Sequence, residues 1–138
     1  PLVGVSTLDI LAAAQPQSPG ALILVLQAGR GRVTTARYHW RKGRWKMRGE
    51  PQNMDWETLI ASIDGPACIS GEVNDEGQQA VIHAQRESLP VTLAAPVLRL
   101  RRAVFLAEEA WERLRANHDQ DAFAPALVTP VYVKTKDL

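Results

Sequence analysis

An unbroken run of apolar side chains from Ala21 to Leu26 is the strongest hydrophobic signal in the chain. Such a run offers no polar side to water, so it predicts a central β-strand covered on both faces. The glycine-rich segment 28–31 then predicts a tight turn, and a second strand from Arg32 to Trp40 follows it. These two strands are expected to form the middle of a sheet.

The next turn predicts a β-hairpin in which Lys42 and Gly43 are the two loop residues. The register expected from that turn pairs Arg41 with Arg44, Trp40 with Trp45, His39 with Lys46, Tyr38 with Met47, and Arg37 with Arg48. Because side chains alternate between the faces of a strand, the hairpin has one apolar and one cationic face. The apolar face carries Ala36, Tyr38, Trp40, Trp45 and Met47, and the cationic face carries Arg37, His39, Arg41, Arg44, Lys46 and Arg48.

Helical and strand patterns alternate along the rest of the chain. The predicted helices run from Thr7 to about Ala14, past Asp55 through Trp56, Leu59, Ile60 and Ile63, through Ala80, Val81 and Ala84, and beyond Leu98. The predicted short strands are Ala67 to Ser70 and Leu89 to Leu93, and the predicted loops include Gly49 to Asn53 and Gly71 to Asn74. This order predicts an α/β ribonuclease-H-like lobe, in which helices pack on a mixed five-stranded sheet with an antiparallel three-strand meander.

The last helix shows the clearest helical periodicity. Its apolar residues form one stripe, which is expected to face the core and consists of Leu100, Ala103, Val104, Ala107, Trp111 and Leu114. On the opposite face Glu109 and Arg113 have the spacing of a favourable ion pair. We interpret Glu108, Glu109 and Glu112 as members of a solvated surface rather than as paired catalytic carboxylates.

Length and composition predict a single domain over residues 1–138, since 46% of the residues are hydrophobic, 22% are charged and the net charge is +1. No apolar segment approaches the roughly 20 residues that a bilayer crossing needs. With no signal peptide in view, the expected location is the cytoplasm. The single Cys68 is expected to pack in the core.

Charge is distributed unevenly, because the segment from Arg30 to Arg48 holds eight of the 16 Lys and Arg residues and no acid. One interpretation of the cationic face is a solvated surface whose long side chains splay outward. The other is a module that binds the phosphates of RNA. The candidate contacts are Arg37, Arg41, Arg44, Lys46 and Arg48.

Residues 1–8 have the sequence P-L-V-G-V-S-T-L, and residues 129–134 have the sequence T-P-V-Y-V-K. These segments resemble the opening P-x-x-G-V-S-T-L and the closing E-P-V-Y-L-R of the C-terminal lobe in the TsaB (YeaZ) family. Between them, residues 26–33 match in position the family's I-D-A-R-x-G-E-V, and Ala28, Gly31 and Val33 keep the pattern. The departures are Gln27 for Asp, Gly29 for Arg and Arg32 for Glu.

The resemblance implies a non-catalytic scaffold subunit for the tRNA N6-threonylcarbamoyladenosine modification. It implies one lobe of a two-lobed ASKHA architecture whose N-terminal lobe is absent from this chain, and pairing with TsaD, the related subunit that carries the active site. Further candidate partners are a TsaE-like ATPase, tRNA and, for the full-length protein, a second copy. The nucleotide cleft would need the missing lobe, so no cofactor is expected in this chain. Kinship with TsaD has also given the family a glycoprotease (peptidase) label without any proteolysis.

Other catalytic patterns are weak. His39, His83 and His118 are far apart in sequence, so no metal site is expected. Neither Ser70 nor Cys68 has the sequence context of a nucleophile, which leaves a glycoprotease-like hydrolase as the least favoured function. Ser70, Gly71 and Glu72 join a strand to a helix, where backbone amides meet phosphates in other proteins. They are weak candidates for a cleft edge, and an ordinary turn is the simpler interpretation.

Overall fold

The computed structural model describes residues 1–134 and contains four helices and five strands in that range. The helices are α1 Thr7–Ala13, α2 Trp56–Ala61, α3 Asp75–Arg86 and α4 Ala103–Ala116. The strands are β1 Ala21–Gly29, β2 Arg32–Arg41, β3 Arg44–Asp55, β4 Ala67–Gly71 and β5 Val91–Leu93. Single turns of 3-10 helix cover Pro96–Arg99, Gln120–Phe123 and Pro125–Leu127. The end of the closing tail, residues 135–138, lies outside the described range.

The five strands form one mixed sheet in the order β3-β2-β1-β4-β5. β1 lies at its centre, as its apolar run predicts, and it pairs antiparallel with β2 and parallel with β4. β2 and β3 are antiparallel, whereas β4 and β5 are parallel. The predicted α/β class, the five-stranded mixed sheet and the antiparallel meander are therefore confirmed.

The hairpin register is confirmed at every predicted pair from Arg41 with Arg44 to Arg37 with Arg48. Lys42 and Gly43 form the two-residue loop, with φ of 51° and 80°. Two consecutive positive φ angles give the turn whose twist matches the twist of the flanking strands. Local sequence chemistry is enough to set this register.

The predicted loop from Gly49 to Asn53 is wrong, because β3 continues through this segment to Asp55. The strand accommodates it with a bulge at Gly49, where φ is +75° and three residues of β3 lie opposite the single Ala36. Pro51 is tolerated because β3 is an edge strand, on which a missing N–H donor leaves no neighbouring strand unpaired.

Two apolar layers cover the sheet, one on each face. On one face α1 packs Leu8 and Leu11 against Leu22 and Leu24 of β1. On the other face α2 and α3 enclose a second cluster of buried residues, which includes Ile23, Val25, Ile69, Trp56 and Val81. Burial on both faces explains why β1 has no polar position between Ala21 and Leu26.

Helix α4 is rotated away from the orientation that its apolar stripe predicts. Val104 and Trp111 are 64% and 58% exposed, and Ala103 and Ala107 are exposed as well. The helix begins at Ala103, so Leu100 lies before it and is also exposed. The expectation that this stripe is buried is therefore wrong within residues 1–134. No helix in this range is long and apolar enough to cross a membrane.

Candidate functional surfaces

A network of polar side chains joins α1, the hairpin and α4. The Tyr38 hydroxyl donates to Asp9 Oδ1 at 2.8 Å, and Asp9 Oδ2 accepts from Arg113 Nη2 at 2.8 Å. Glu109 accepts from Arg44 Nη2 at 2.5 Å and lies 3.9 Å from Arg113. This network explains the rotation of α4, because the surface that the helix covers offers charged partners to Glu109 and Arg113.

The predicted pair of Glu109 and Arg113 is thus present, but the interpretation of Glu109 as a solvated residue is wrong. Its side chain is only 15% exposed, and it faces the hairpin. Glu108 is exposed, and Glu112 is 52% exposed beside Arg115. Helical periodicity places all three carboxylates on the polar side, but it cannot show which of them meets a cation from another element.

Tyr38 is 1% exposed and contributes its hydroxyl proton to this network. Burial raises the pKa of Tyr38 well above its ordinary value, and the negative charge and hydrogen bond of Asp9 raise it further. The folded protein therefore holds the phenolic proton more tightly than the unfolded chain, in which the pKa of tyrosine is about 10. This contribution to stability is complete below about pH 10 and is lost as the pH rises further.

An alkaline titration tests this placement of Tyr38. In a Tyr132→Phe background Tyr38 is the only tyrosine, and we expect its phenolate absorbance to appear only together with the loss of native circular dichroism. Tyr38→Phe in the same background is the control, and it should move the alkaline unfolding midpoint upward. Ionisation near pH 10 in a protein that keeps its native spectrum would contradict the buried placement.

An open groove of about 610 Å³ lies above the polar network, between the hairpin tip and α4. Its apolar lining includes Trp40 and Trp45, which meet edge to face with ring centroids 5.3 Å apart. Trp45 is buried, and its Nε1 donates to the Gln15 carbonyl at 3.2 Å. The predicted placement of both tryptophans on one face is therefore confirmed. The groove combines aromatic rings with carboxylates and cations on its rim.

The structure divides the predicted cationic face. Arg37 donates to the Ser62 carbonyl at 3.0 Å and lies 3.5 Å from the exposed Asp64. Arg44 bends toward α4 and pairs with Glu109. The remaining three candidate cations are Arg41, Lys46 and Arg48. Their side chains are exposed and form no ion pair among residues 1–134. Three of the five candidate cations are thus available to an anion without breaking an internal pair.

The segment Ser70, Gly71 and Glu72 serves mainly to tie β4 to β1. Ser70 is fully buried, and its hydroxyl donates to the Leu98 carbonyl at 3.4 Å. The Glu72 amide donates to the Val25 carbonyl at 2.8 Å, so it is already used within the fold. Since α3 then begins with the acidic pair at positions 75 and 76, this turn repels an anion more than it attracts one.

Gln27 donates two hydrogen bonds to Glu72, a contact that sequence reasoning missed. The backbone N–H of Gln27 donates to Glu72 Oε2 at 2.8 Å, and the side-chain Nε2 of Gln27 donates to the backbone carbonyl of Glu72 at 2.7 Å. Arg101 pairs with the same carboxylate at 2.9 Å. An aspartate at position 27, as in the resembling motif, would face Glu72 with a like charge. A neutral glutamine at position 27 therefore avoids repulsion with the Glu72 carboxylate. The reason for this residue is found only in the tertiary contact, because positions 27 and 72 are distant in sequence.

Cys68 lies on β4 and is half-buried against the layer formed by α1. Burial raises the pKa of the Cys68 thiol, which lowers its thiolate fraction at neutral pH. We expect alkylation of the native protein by iodoacetamide at pH 8 to be at least about tenfold slower than alkylation of the same chain in urea. A Cys68→Ser variant provides the blank, and equal native and denatured rates would contradict the prediction.

Among residues 1–134 no group of three or more His, Cys, Asp and Glu side chains is placed to hold a metal ion. No hydrogen bond in that range joins Ser70 or Cys68 to a histidine. Comparison of the chain with protein-family models gives no match, and comparison with curated proteins gives none either.

Proposed function

We propose that this chain is the C-terminal, ribonuclease-H-like lobe of a TsaB-type scaffold subunit, which works with a TsaD-like catalytic subunit in tRNA threonylcarbamoyladenosine modification. The observation that carries the proposal is the strand order β3-β2-β1-β4-β5, in which only β2 runs against the others. Three sequential antiparallel strands followed by parallel additions are the arrangement expected for one ASKHA lobe. The chain itself is assigned no catalytic step.

The opening motif supports this proposal because its residues have a structural role at the start of the lobe. Ser6 is the N-cap of α1, and its hydroxyl accepts from the Asp9 amide at 3.1 Å. Gly4 leaves room for the Val128 side chain, since a Cβ at this position would lie 3.2 Å from a Val128 methyl group. The sequence G-V-S-T-L is thus suited to begin a helix beside the closing tail.

The closing motif contacts β3 near its C-terminal end, which is the end of the hairpin away from the Lys42–Gly43 turn. Asn53 Nδ2 on β3 donates to the Val133 carbonyl at 3.0 Å. The two motifs that carry the resemblance are therefore both attached to the sheet, one through α1 and one through β3.

The test is assembly of the full-length protein with its partners. We expect the full-length protein to co-purify with a TsaD-like subunit and to support formation of the modified nucleoside when the other subunits are supplied. A useful control is Cys68→Ser together with Ser70→Ala, which removes both conceivable nucleophiles and should leave the reconstituted activity unchanged. Absence of both binding and modification would overturn the proposal.

A second candidate function is direct RNA binding by Arg41, Lys46 and Arg48. The observation that favours it is that these three exposed cations form no ion pair within residues 1–134. It predicts a tRNA affinity whose logarithm falls by roughly 0.7 to 0.9 per neutralised phosphate for each log unit of salt. Arg41→Ala with Lys46→Ala should reduce both affinity and salt slope. The matched control is Arg44→Ala, which removes a cation already paired with Glu109. A flat salt response would exclude this function.

A further inference from the structure

A pocket of about 280 Å³ lies between the C-terminal half of α2 and the bulge of β3, on the face of the sheet that α2 and α3 cover. Its floor is apolar, because Ile23 of β1 and Leu59 of α2 line it and are both buried. Met54 of β3 lines it as well and packs against the same cluster. A bulge bends a strand and interrupts its ladder, and here Gly49 and Glu50 form part of the pocket wall. The volume is close to the lower end of the range for pockets that bind small molecules.

Thr35 of β2 presents a hydroxyl group to this pocket. The residue is only 6% exposed, and its hydroxyl forms no hydrogen bond with residues 1–134. The oxygen is not closed off within the core, so it is reached from the pocket that the residue lines. Buried hydroxyl groups in proteins are nearly always hydrogen-bonded. This one is therefore suited to a polar group that enters the pocket.

The strand register gives the pocket two chemically different ends. At one end Arg37 of β2 lies opposite Arg48 of β3. At the other end Thr35 lies opposite Gln52, and Glu50 lies between the two ends along β3. Guanidinium groups only donate hydrogen bonds, whereas a hydroxyl, an amide and a carboxylate all accept them. One end of the pocket is therefore cationic, and the rest of its wall along β3 carries acceptors and a negative charge.

The charged groups on the rim are free to bind a ligand. Arg48 and Glu50 are exposed, and neither side chain forms an ion pair or a hydrogen bond with residues 1–134. They are two positions apart on β3, so their Cα atoms are at most about 7 Å apart. Arg37 is held in the wall because it donates to the Ser62 carbonyl at 3.0 Å and to the Ser62 hydroxyl at 3.1 Å. Two neighbouring guanidinium groups favour a carboxylate at their end, and Glu50 favours an ammonium group close to it.

We propose that this pocket binds one free α-amino acid with an apolar side chain of the size of leucine or methionine. The carboxylate of the ligand is held by Arg48 beside Arg37. Its ammonium group donates to Glu50 and to the Thr35 hydroxyl, and its side chain packs on the apolar floor. A residue within a peptide lacks these two charges, so the site selects the free amino acid. The proposal goes beyond both functions proposed above and depends on neither.

The test is titration of the isotopically labelled 138-residue chain with L-leucine, followed by its amide NMR signals. We expect saturable shifts at Thr35, at Gly49 and at their neighbours in the pocket. N-acetyl-leucine lacks the ammonium charge, leucinamide lacks the carboxylate and glycine lacks the side chain. Each of these three compounds should bind at least about tenfold more weakly than leucine, because each loses a charge-assisted hydrogen bond or a buried apolar group.

Two exposed variants test the charges separately. Glu50→Gln should weaken leucine about tenfold and leave the weak binding of N-acetyl-leucine unchanged, because that compound has no ammonium group to lose. Arg48→Gln should weaken leucine equally and leave leucinamide unchanged. Thr35→Val removes the hydroxyl but keeps the shape, and it should weaken leucine about fivefold. The matched controls are Glu57→Gln on α2 and Arg86→Gln on α3, exposed residues outside the pocket, which should bind leucine as the wild type does.

Absence of saturable shifts with leucine at millimolar concentration would overturn the proposal. Equal binding of leucine and N-acetyl-leucine would also overturn it, because the pocket would then accept any apolar carboxylate. An unchanged leucine affinity in both Glu50→Gln and Arg48→Gln would place the binding site elsewhere and would have the same consequence.

Discussion

Replacing Gly71 with alanine is expected to lower the free energy of unfolding by about 2–4 kcal/mol. Gly71 is the buried last residue of β4 and has φ of +105°, which costs an L-residue about 1–3 kcal/mol. A Cβ there would lie 2.3 Å from the Val25 carbonyl oxygen of the central strand. That oxygen also accepts the Glu72 amide, so displacing it costs a further hydrogen bond of about 1 kcal/mol.

Urea unfolding monitored by circular dichroism measures this loss, with the dependence on urea concentration expected to stay unchanged. The matched control is Gly65→Ala, since Gly65 has no positive φ and nothing lies within 4 Å of a Cβ built there. That change should leave stability within about 1 kcal/mol of the wild type. A loss below about 1 kcal/mol in Gly71→Ala would show that β1 and β4 do not approach as described.

The second large effect is expected for Gly77→Ala, at about 3 kcal/mol. Gly77 lies in the first turn of α3 beneath the indole of Trp56, and a Cβ there would lie 2.2 Å from Cζ2 and 2.5 Å from Cε2 of that ring. Alanine is intrinsically better than glycine in a helix by about 1 kcal/mol, so a loss of stability would identify the clash as the dominant effect.

A double-mutant cycle isolates this contact. Phenylalanine at position 56 lacks the outer atoms of the indole, so in a Trp56→Phe background Gly77→Ala should cost less than about 1 kcal/mol. The interaction energy between the two positions is then about 2 kcal/mol. Gln79→Ala on the exposed side of α3 is the helix control and should change stability by less than about 0.5 kcal/mol. Equal costs of Gly77→Ala in the two backgrounds would contradict the packing of α2 on α3.

These two glycines show a limit of sequence reasoning. The sequence places Gly71 in a loop and Gly77 near the start of a helix, where either residue could be replaced on local grounds. What forbids replacement is a carbonyl of β1 in one case and an indole of α2 in the other. Both neighbours are distant in sequence and reach the glycine only when the sheet and its covering helices assemble.

Local pattern by itself determined the centre of the sheet, the order of the elements and the register of the hairpin. A strand buried on both faces must be apolar at every position, and a two-residue turn with positive φ permits only one pairing. The alternation that puts Trp40 and Trp45 on one face follows from the two-residue period of a strand. The continuation of β3 past Gly49 did not follow, because the tolerance of an edge strand for Pro51 depends on its place in the sheet.

Only the tertiary structure decided the orientation of α4 and the division of the cationic face. Periodicity shows that a stripe is apolar, but it does not show what covers that stripe. Here the ion pair of Glu109 with Arg44 and the hydrogen bond of Arg113 to Asp9 turn the stripe outward and remove Arg44 from the free cations. Each helix and strand forms through interactions between residues that are close in sequence. Which charged side chains form ion pairs depends on residues from different elements, and these come together only when the elements pack.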